Sequence, residues 1–216
     1  TPLYSSAASD VYKRQGEAGT DIWFRADKSF SYRQVFRYID YTPDQASSTK
    51  NYWRDLWPAV NMCNAGINRI DDAGLPETER NAKLGELRYL RAFYYWHIVE
   101  TWGGVALFTN ETAQSPNLSP TRSPVEDFYD LMIDDLDYAI EWLPVTPENP
   151  EEYSRATRKS AMGFLARVLL TRAYYSLDNN NKAEADAYFT RARDVAHATL
   201  DSAARWGVSL YQNYAD

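Results

Sequence analysis

The chain has 216 residues, 44% of them hydrophobic, with 23 Lys and Arg against 30 Asp and Glu for a formal net charge of −7. That composition supports a packed core in one or two domains and excludes wholesale disorder, while the acidic balance argues against nucleic acid or anionic lipid as a partner, since both select a basic face. One cysteine (Cys63) forbids an internal disulfide, two histidines exclude a His-rich metal site, and no run approaches the ~18 apolar residues of a membrane span.

The first residues are read apart from the fold. Ser5 to Gln15, SSAASDVYKRQ, resembles the translation of a transposase adapter used in sequencing libraries, a kind of segment to exclude from fold reasoning. Residues 1–15 are therefore expected to be non-native. The domain is expected to occupy 16–216, with a later part of its fold missing. Losing Asp10, Lys13 and Arg14 leaves the chain acidic.

Residues 16–50 are aromatic and polar with no sustained period, and they read as a long structured loop with short helical turns. From about Asn51 the pattern is helical. Tyr52, Leu56, Val60, Cys63, Ile67 and Ile70 recur at three- and four-residue steps, and Gly74 with Pro76 stops the run. A second helix is predicted from about Glu77 to Trp102, with the stripe Leu84, Leu87, Leu90, Tyr94, Ile98 and Trp102, ended by Gly103-Gly104.

Residues 105–123 form a polar loop. Ser123, Pro124 and Glu126 have the spacing of a capping box opening a third helix, which buries Val125, Phe128, Met132, Leu136, Ala139 and Leu143 before Pro144. After a second loop over 144–156, a fourth helix spans about Thr157 to Leu177. A fifth follows Asn179-Asn180-Asn181 and runs to about Leu200. The chain is thus predicted to be all-α, an α-α superhelix of helix pairs. Ala185, Phe189 and Ala192 fit the second helix of a tetratricopeptide repeat. Met162, Leu165, Ala166 and Leu169 fit the first only if the turn between them is lengthened by seven residues.

No catalytic constellation stands out. Asp127, Asp130, Asp134, Asp137 and Glu141 step along the face of helix three opposite its apolar stripe, and they read as a solvated acidic face. Asp135 lies at the apolar edge and is expected to be a helix-packing carboxylate. Glu86, Arg88 and Arg91 flank apolar positions and suggest a structural ion-pair network. His97 reads as a core or boundary residue, His197 as a helix C-terminal one, and Cys63 as core. No metal site and no cofactor are expected.

The unusual quantity is aromatic content, 15% with 17 Tyr and 7 Trp. Tyr94, Tyr95, Trp96, Trp102, Tyr174 and Tyr175 sit on helical faces and are expected in the core. Trp23, Phe24, Phe30, Tyr32, Phe36, Tyr38 and Tyr41 lie in the non-periodic segment. Exposed rings on a rigid loop suit stacking on sugar faces, with nearby polar groups bonding the hydroxyls. Trp23, Tyr32, Phe36, Tyr38 and Tyr41 are the candidate ligand-stacking residues; the competing role is packing that segment onto the helices.

Gly85 to Trp96, GELRYLRAFYYW, followed by Trp102-Gly103-Gly104-Val105-Ala106-Leu107, resembles the RagB/SusD family of Bacteroidetes nutrient-uptake outer-membrane proteins. Asn51 to Asp71 (with Trp57 and Asn64), Val125 to Pro144 (with Asp135-Leu136-Asp137-Tyr138-Ala139) and Arg155 to Val168 agree with further family blocks in order and spacing, so that the resemblance covers about 17–214. Ala106 departs from the Pro usual after Gly-Gly-Val. The resemblance implies tetratricopeptide-like helix pairs forming the N-terminal part of a SusD-like fold. It also implies a lipid anchor on the outer face of the outer membrane, non-catalytic binding of oligosaccharides or other nutrients, and a SusC-like TonB-dependent transporter as partner. Cys63 cannot be the lipid site, because a lipidated cysteine becomes the N-terminal residue. No ligand-contacting residue is carried over. The alternatives are a helical-repeat adaptor for a protein segment, and a glycosidase using the carboxylates of helix three.

Overall fold

The computed structural model describes residues 47–113, 119–147 and 149–209. Five α-helices follow in order: α1 (Ser47–Arg69), α2 (Glu77–Trp102), α3 (Val125–Trp142), α4 (Arg158–Asp178) and α5 (Lys182–Ala203). Short 3-10 turns lie at Ile70–Ala73, Pro150–Glu152 and Ala204–Trp206. Among the described residues there is no strand. The chain divides into two compact units at Pro58. Of the first, the described part is the opening of α1, where Trp53 and Trp57 meet edge to face with centroids 5.1 Å apart.

In the second unit the four later helices pack in sequence. Gly85, early in α2, lies against Leu143 and Ala139 near the end of α3, while Tyr95, late in α2, meets Phe128 near its start. The two helices are therefore antiparallel. The same reading makes α4 antiparallel to α5, since Arg172 reaches Glu184 and Tyr174 meets Phe189 across a three-residue connection. The two hairpins stand side by side: Phe164 of α4 touches Tyr89 and Trp96 of α2, and Arg191 of α5 pairs with Asp137 of α3. One layer holds α2 and α4, the other α3 and α5, which is the two-layer stacking of helical repeats.

Local chemistry explains most boundaries. Gly74 takes φ 63°, a left-handed backbone that favours glycine, and ends the turn after α1. Thr157 caps α4 through a reciprocal box with Ser160: the Ser160 N–H donates to Thr157 Oγ1 at 3.3 Å, and the Thr157 N–H donates to Ser160 Oγ at 2.9 Å. Asn181 caps α5 by accepting from the Glu184 N–H. Small side chains bring the hairpins together. Ala161, Ala173 and Ala185 are fully buried, while Phe128, Tyr129, Met132, Leu136 and Leu143 fill the space around α3. Each large side chain so buried is worth about 1.5–3 kcal/mol.

Four expectations need correction. The helix before Asn51 begins at Ser47, inside the segment read as loop. Ser123 does not cap α3. Its N–H donates to the Val105 carbonyl at 2.8 Å, drawing it onto the segment that leaves α2, and α3 starts from Pro124 without a side-chain cap. The buried face of α2 runs through Leu84, Arg91, Ala92, Tyr95, Ile98 and Val99, so Leu90 is exposed. The apolar count misplaced that face by about one residue, or ~100° of helix, because a buried Arg and Asn occupy positions that a hydrophobic stripe skips. Tyr174, expected in the core, is 55% exposed and rests edge-on against Phe189.

Among the described glycines, Gly104 leaves the least room for a side chain. A Cβ there would collide with the Ser123 carbonyl oxygen, a backbone atom that cannot rotate away. Gly104→Ala is expected to cost about 1–3 kcal/mol, measured as a lowered urea midpoint. Cys63 is buried, and burial raises its thiol to about 11. It should resist alkylation in the native protein and react fully once urea unfolds it.

Candidate functional site

Two groups of residues organise the described surface: a buried polar network that fixes the α2–α3 connection, and an aromatic face shared by α2 and α4.

Arg91 lies at the centre of the network and is 5% exposed. Its Nε donates to Asp135 Oδ2 at 2.7 Å and its Nη2 to Oδ1 at 2.8 Å, while Nη1 donates to Asn64 Oδ1 at 3.0 Å. The planar guanidinium fork matches the carboxylate, a geometry that lysine does not offer. Burial pushes the Asp135 carboxyl upward, and the Arg91 fork and charge oppose that push. Arg88 stands 3.9 Å from the same carboxylate and lies over the Tyr138 ring.

The network continues into the connection. Asn64 Nδ2 donates to the Phe108 carbonyl at 2.9 Å, and the Phe108 N–H donates to the Tyr95 hydroxyl at 3.0 Å. Asn68 accepts from the Glu111 N–H and Asn61 from the Thr112 N–H. Asn61, Asn64 and Asn68 follow at three- and four-residue steps, so one face of α1 supplies a ladder of amides to the segment that leaves α2. Arg69 grips Glu111 with two hydrogen bonds, at 3.1 and 2.5 Å. The network expected around Arg88 and Arg91 is thus present, with Asp135 as its acid. Asn61, Asn64 and Asn68 are not foreseen as its amide members; their three- and four-residue spacing, and the place of Asn64 in the family-like block, are the signals that point to them.

Asp127, Asp130, Asp134, Asp137 and Glu141 of α3 are exposed, as expected of a solvated face. Among the described residues no His, Cys, Asp and Glu gather into a metal-holding group, and no helix is long and apolar enough to cross a membrane.

The aromatic face centres on Phe164 of α4. Its ring lies 6.0 Å from Tyr89, 5.9 Å from Phe93 and 5.9 Å from Trp96, all on α2. Phe93 keeps 37% of its surface exposed. Arg167 places its guanidinium 4.6 Å over the Trp96 ring. His97 meets Phe93 and Trp96 edge-on, and its pKa lies below the ordinary histidine value because of burial first and the Arg167 charge second. Beside these rings, Glu86, Tyr89 and Leu90 of α2 face Ser154, Arg155 and Ser160 across a pocket of about 320 Å³. Arg155 and Glu86 hold each other in a two-pronged ion pair, one prong at 2.7 Å.

Trp23, Tyr32, Phe36, Tyr38 and Tyr41, the candidate stacking residues, lie outside the described residues, as do Phe24 and Phe30. Tyr89, Phe93 and Phe164 had not been singled out, because a periodic pattern assigns helical aromatics to the core.

The family model described as starch-binding, associating with the outer membrane, matches residues 6–170. The chain belongs to the SusD-like family. A SusD-like protein of Bacteroides ovatus is 27% identical over 167 residues, covering 76% of this chain and 29% of the relative. A solved structure with xylogluco-oligosaccharide is 26% identical with TM-score 0.63, over 86% of this chain and 35% of the other. A laminarin-binding SusD-like protein is 25% identical with TM-score 0.53, over 62% and 28% of the two chains. This SusD-like chain therefore spans less than a third of the curated relative, and its helix pairs correspond to part of the SusD-like fold.

Breaking the central pair of this SusD-like domain leaves a buried charge alone. Arg91→Met is expected to cost about 3–5 kcal/mol, and the Arg91→Met, Asp135→Leu double variant to recover most of it, both measured by urea unfolding. His97 gives a pH dependence of known sign. With its folded pKa below the unfolded value, the unfolded chain takes up the proton first as pH falls, so stability is lost below about pH 6.5. The melting temperature should fall less between pH 7.5 and 5.5 in His97→Gln than in the parent.

Proposed function

We propose that this chain belongs to a non-catalytic glycan-binding protein of the cell surface that delivers oligosaccharides to a SusC-like TonB-dependent transporter. The observation that carries this reading is the family match over residues 6–170. Relatives that bind laminarin or hold a xylogluco-oligosaccharide support it further. The chemistry of the chain agrees. Its two buried acids among the described residues are taken up by arginines, Asp135 by Arg91 and Glu111 by Arg69, and Asp127, Asp130, Asp134, Asp137 and Glu141 of α3 face solvent. General acid–base hydrolysis needs two carboxylates in unlike environments flanking one bond. Glycan binding instead draws on rings, which this sequence holds in excess.

In this reading a lipid anchor holds the protein at the outer membrane, and Trp23, Tyr32, Phe36, Tyr38 and Tyr41 stack on sugar rings. Single-site affinity is weak, because one sugar platform buries little area. A helical-repeat adaptor for a protein segment is the second reading. It is favoured by one observation, an apolar groove of about 470 Å³ lined by Ile140, Met162, Leu165, Val195 and Ala198 across α3, α4 and α5.

Calorimetry of the full-length protein against xyloglucan, laminarin and starch oligosaccharides tests the first reading. Binding of at least one is expected, with Trp23→Ala and Tyr38→Ala each weakening it by about twofold to tenfold. Silence toward every glycan, together with sugar-independent capture of a protein partner, would establish the adaptor instead.

A further inference from the structure

The pocket beside the aromatic face differs in composition from the groove across α3–α5. The larger groove is largely aliphatic and offers no ring among its lining residues. Both hold an ion pair, Asp137–Arg191 in the groove and Glu86–Arg155 in the pocket, but of the two only the pocket sets a ring, Tyr89, beside it. We propose that this pocket is a glycan subsite, separate from the Trp23–Tyr41 segment, which seats an uncharged pyranose ring against Tyr89, with Phe93 one turn further along α2 extending the platform beyond the pocket, and with its hydroxyls on Glu86 and Arg155. This rests on the glycan-binding reading above.

Three observations lead to that ligand. The rings are already fixed. Phe164 touches Tyr89, Phe93 and Trp96 at once, so little side-chain freedom remains to be lost on binding. Edge-on packing leaves Phe93 partly exposed, and an aromatic face receives the apolar C–H face of a sugar.

The polar groups suit hydroxyls. Glu86 and Arg155 hold each other in place and stay 21% and 41% exposed. Beyond their mutual bonds, the carboxylate still accepts and the guanidinium still donates, which matches a hydroxyl that does both. Their charges cancel, so the pocket selects against phosphates and other strong anions. Ser154, exposed on the same rim, adds a further hydroxyl.

Size decides against a protein partner. About 320 Å³ is at the small end of ligand pockets and suits one or two sugar rings. A stable protein interface needs roughly 800 Å² from each side.

Hydroxyl-radical footprinting of the full-length protein, with and without xyloglucan or laminarin oligosaccharides, reads this site residue by residue. Calorimetry on the same samples reports whether sugar binds at all. Tyr89 and Phe93 are expected to be labelled without sugar and protected with it. Phe93→Ala and Arg155→Gln should each weaken binding by about threefold to tenfold, and Phe93→Trp should retain it, separating stacking from a loss of folding. Calorimetric binding with unchanged labelling at Tyr89 and Phe93 overturns the subsite and leaves the glycan-binding reading intact. Labelling of Phe93 that is absent even without sugar also overturns it, because the face is then covered by another part of the protein. Absence of binding to every oligosaccharide removes the glycan-binding reading and the subsite together.

Discussion

A guanidinium taken out of water must replace hydrogen bonds it lost, and Arg91 finds its carboxylate and amide partners at one point where three helices meet. Asp135 of α3 receives two of its hydrogen bonds and Asn64 of α1 a third. The arrangement is directional in a way that packed leucines are not, because a fork and a carboxylate fit at one angle and one distance. It therefore sets the rotation of α2 and α3 about their axes as well as their separation. Asn64 carries the constraint outward by bonding the Phe108 carbonyl, so the connection between α2 and α3 is positioned by the same residues that hold the helices. Such a pair is costly to bury and adds little net stability, but it disfavours any packing that leaves it broken.

The faces left exposed follow from that rotation. With Arg91, Tyr95 and Ile98 turned inward, Leu90 and Phe93 turn outward on α2, and Phe93 meets Phe164 of α4. The acidic residues of α3 are exposed by the same geometry, and Asp137 finds Arg191 of α5 there. A two-layer array of hairpins thus displays rings on one layer and carboxylates on the other. Much of its reactive chemistry is spent on structure. The buried carboxylates of Asp135 and Glu111 are bonded to arginines, the thiol is raised out of its reactive range, and His97 is held toward its neutral form among aromatic rings. What remains at the surface is suited to contact and stacking, in keeping with a family known for binding starch.

Gly104 shows how the network and the backbone depend on each other. The connection leaving α2 crosses the approach to α3 so closely that no side chain fits, and the Ser123 N–H is bonded to the Val105 carbonyl at that crossing. The Gly-Gly pair after Trp102 is therefore more than a helix stop. It lets the chain double back beneath the start of α3, from where the amides of Asn61, Asn64 and Asn68 can reach it.

The sequence by itself determined the helices and most of their ends. Glu77 and Trp102 bound α2 as expected, and Thr157 and the three asparagines at 179–181 mark where α4 and α5 begin, because caps and breakers act within a few residues of where they stand. It also carried the family, through blocks of residues whose order survives. The candidate stacking residues between Trp23 and Tyr41 came from composition and lack of period alone. Tertiary structure decided which face of α2 is buried, what Asp135 holds, that Ser123 turns to Val105, and that Tyr89, Phe93 and Phe164 form one surface. The reason is distance along the chain. Arg91 and Asp135 are 44 residues apart, and a periodic reading ranks each residue by its own polarity, so it cannot count a charge as core until its partner is in place.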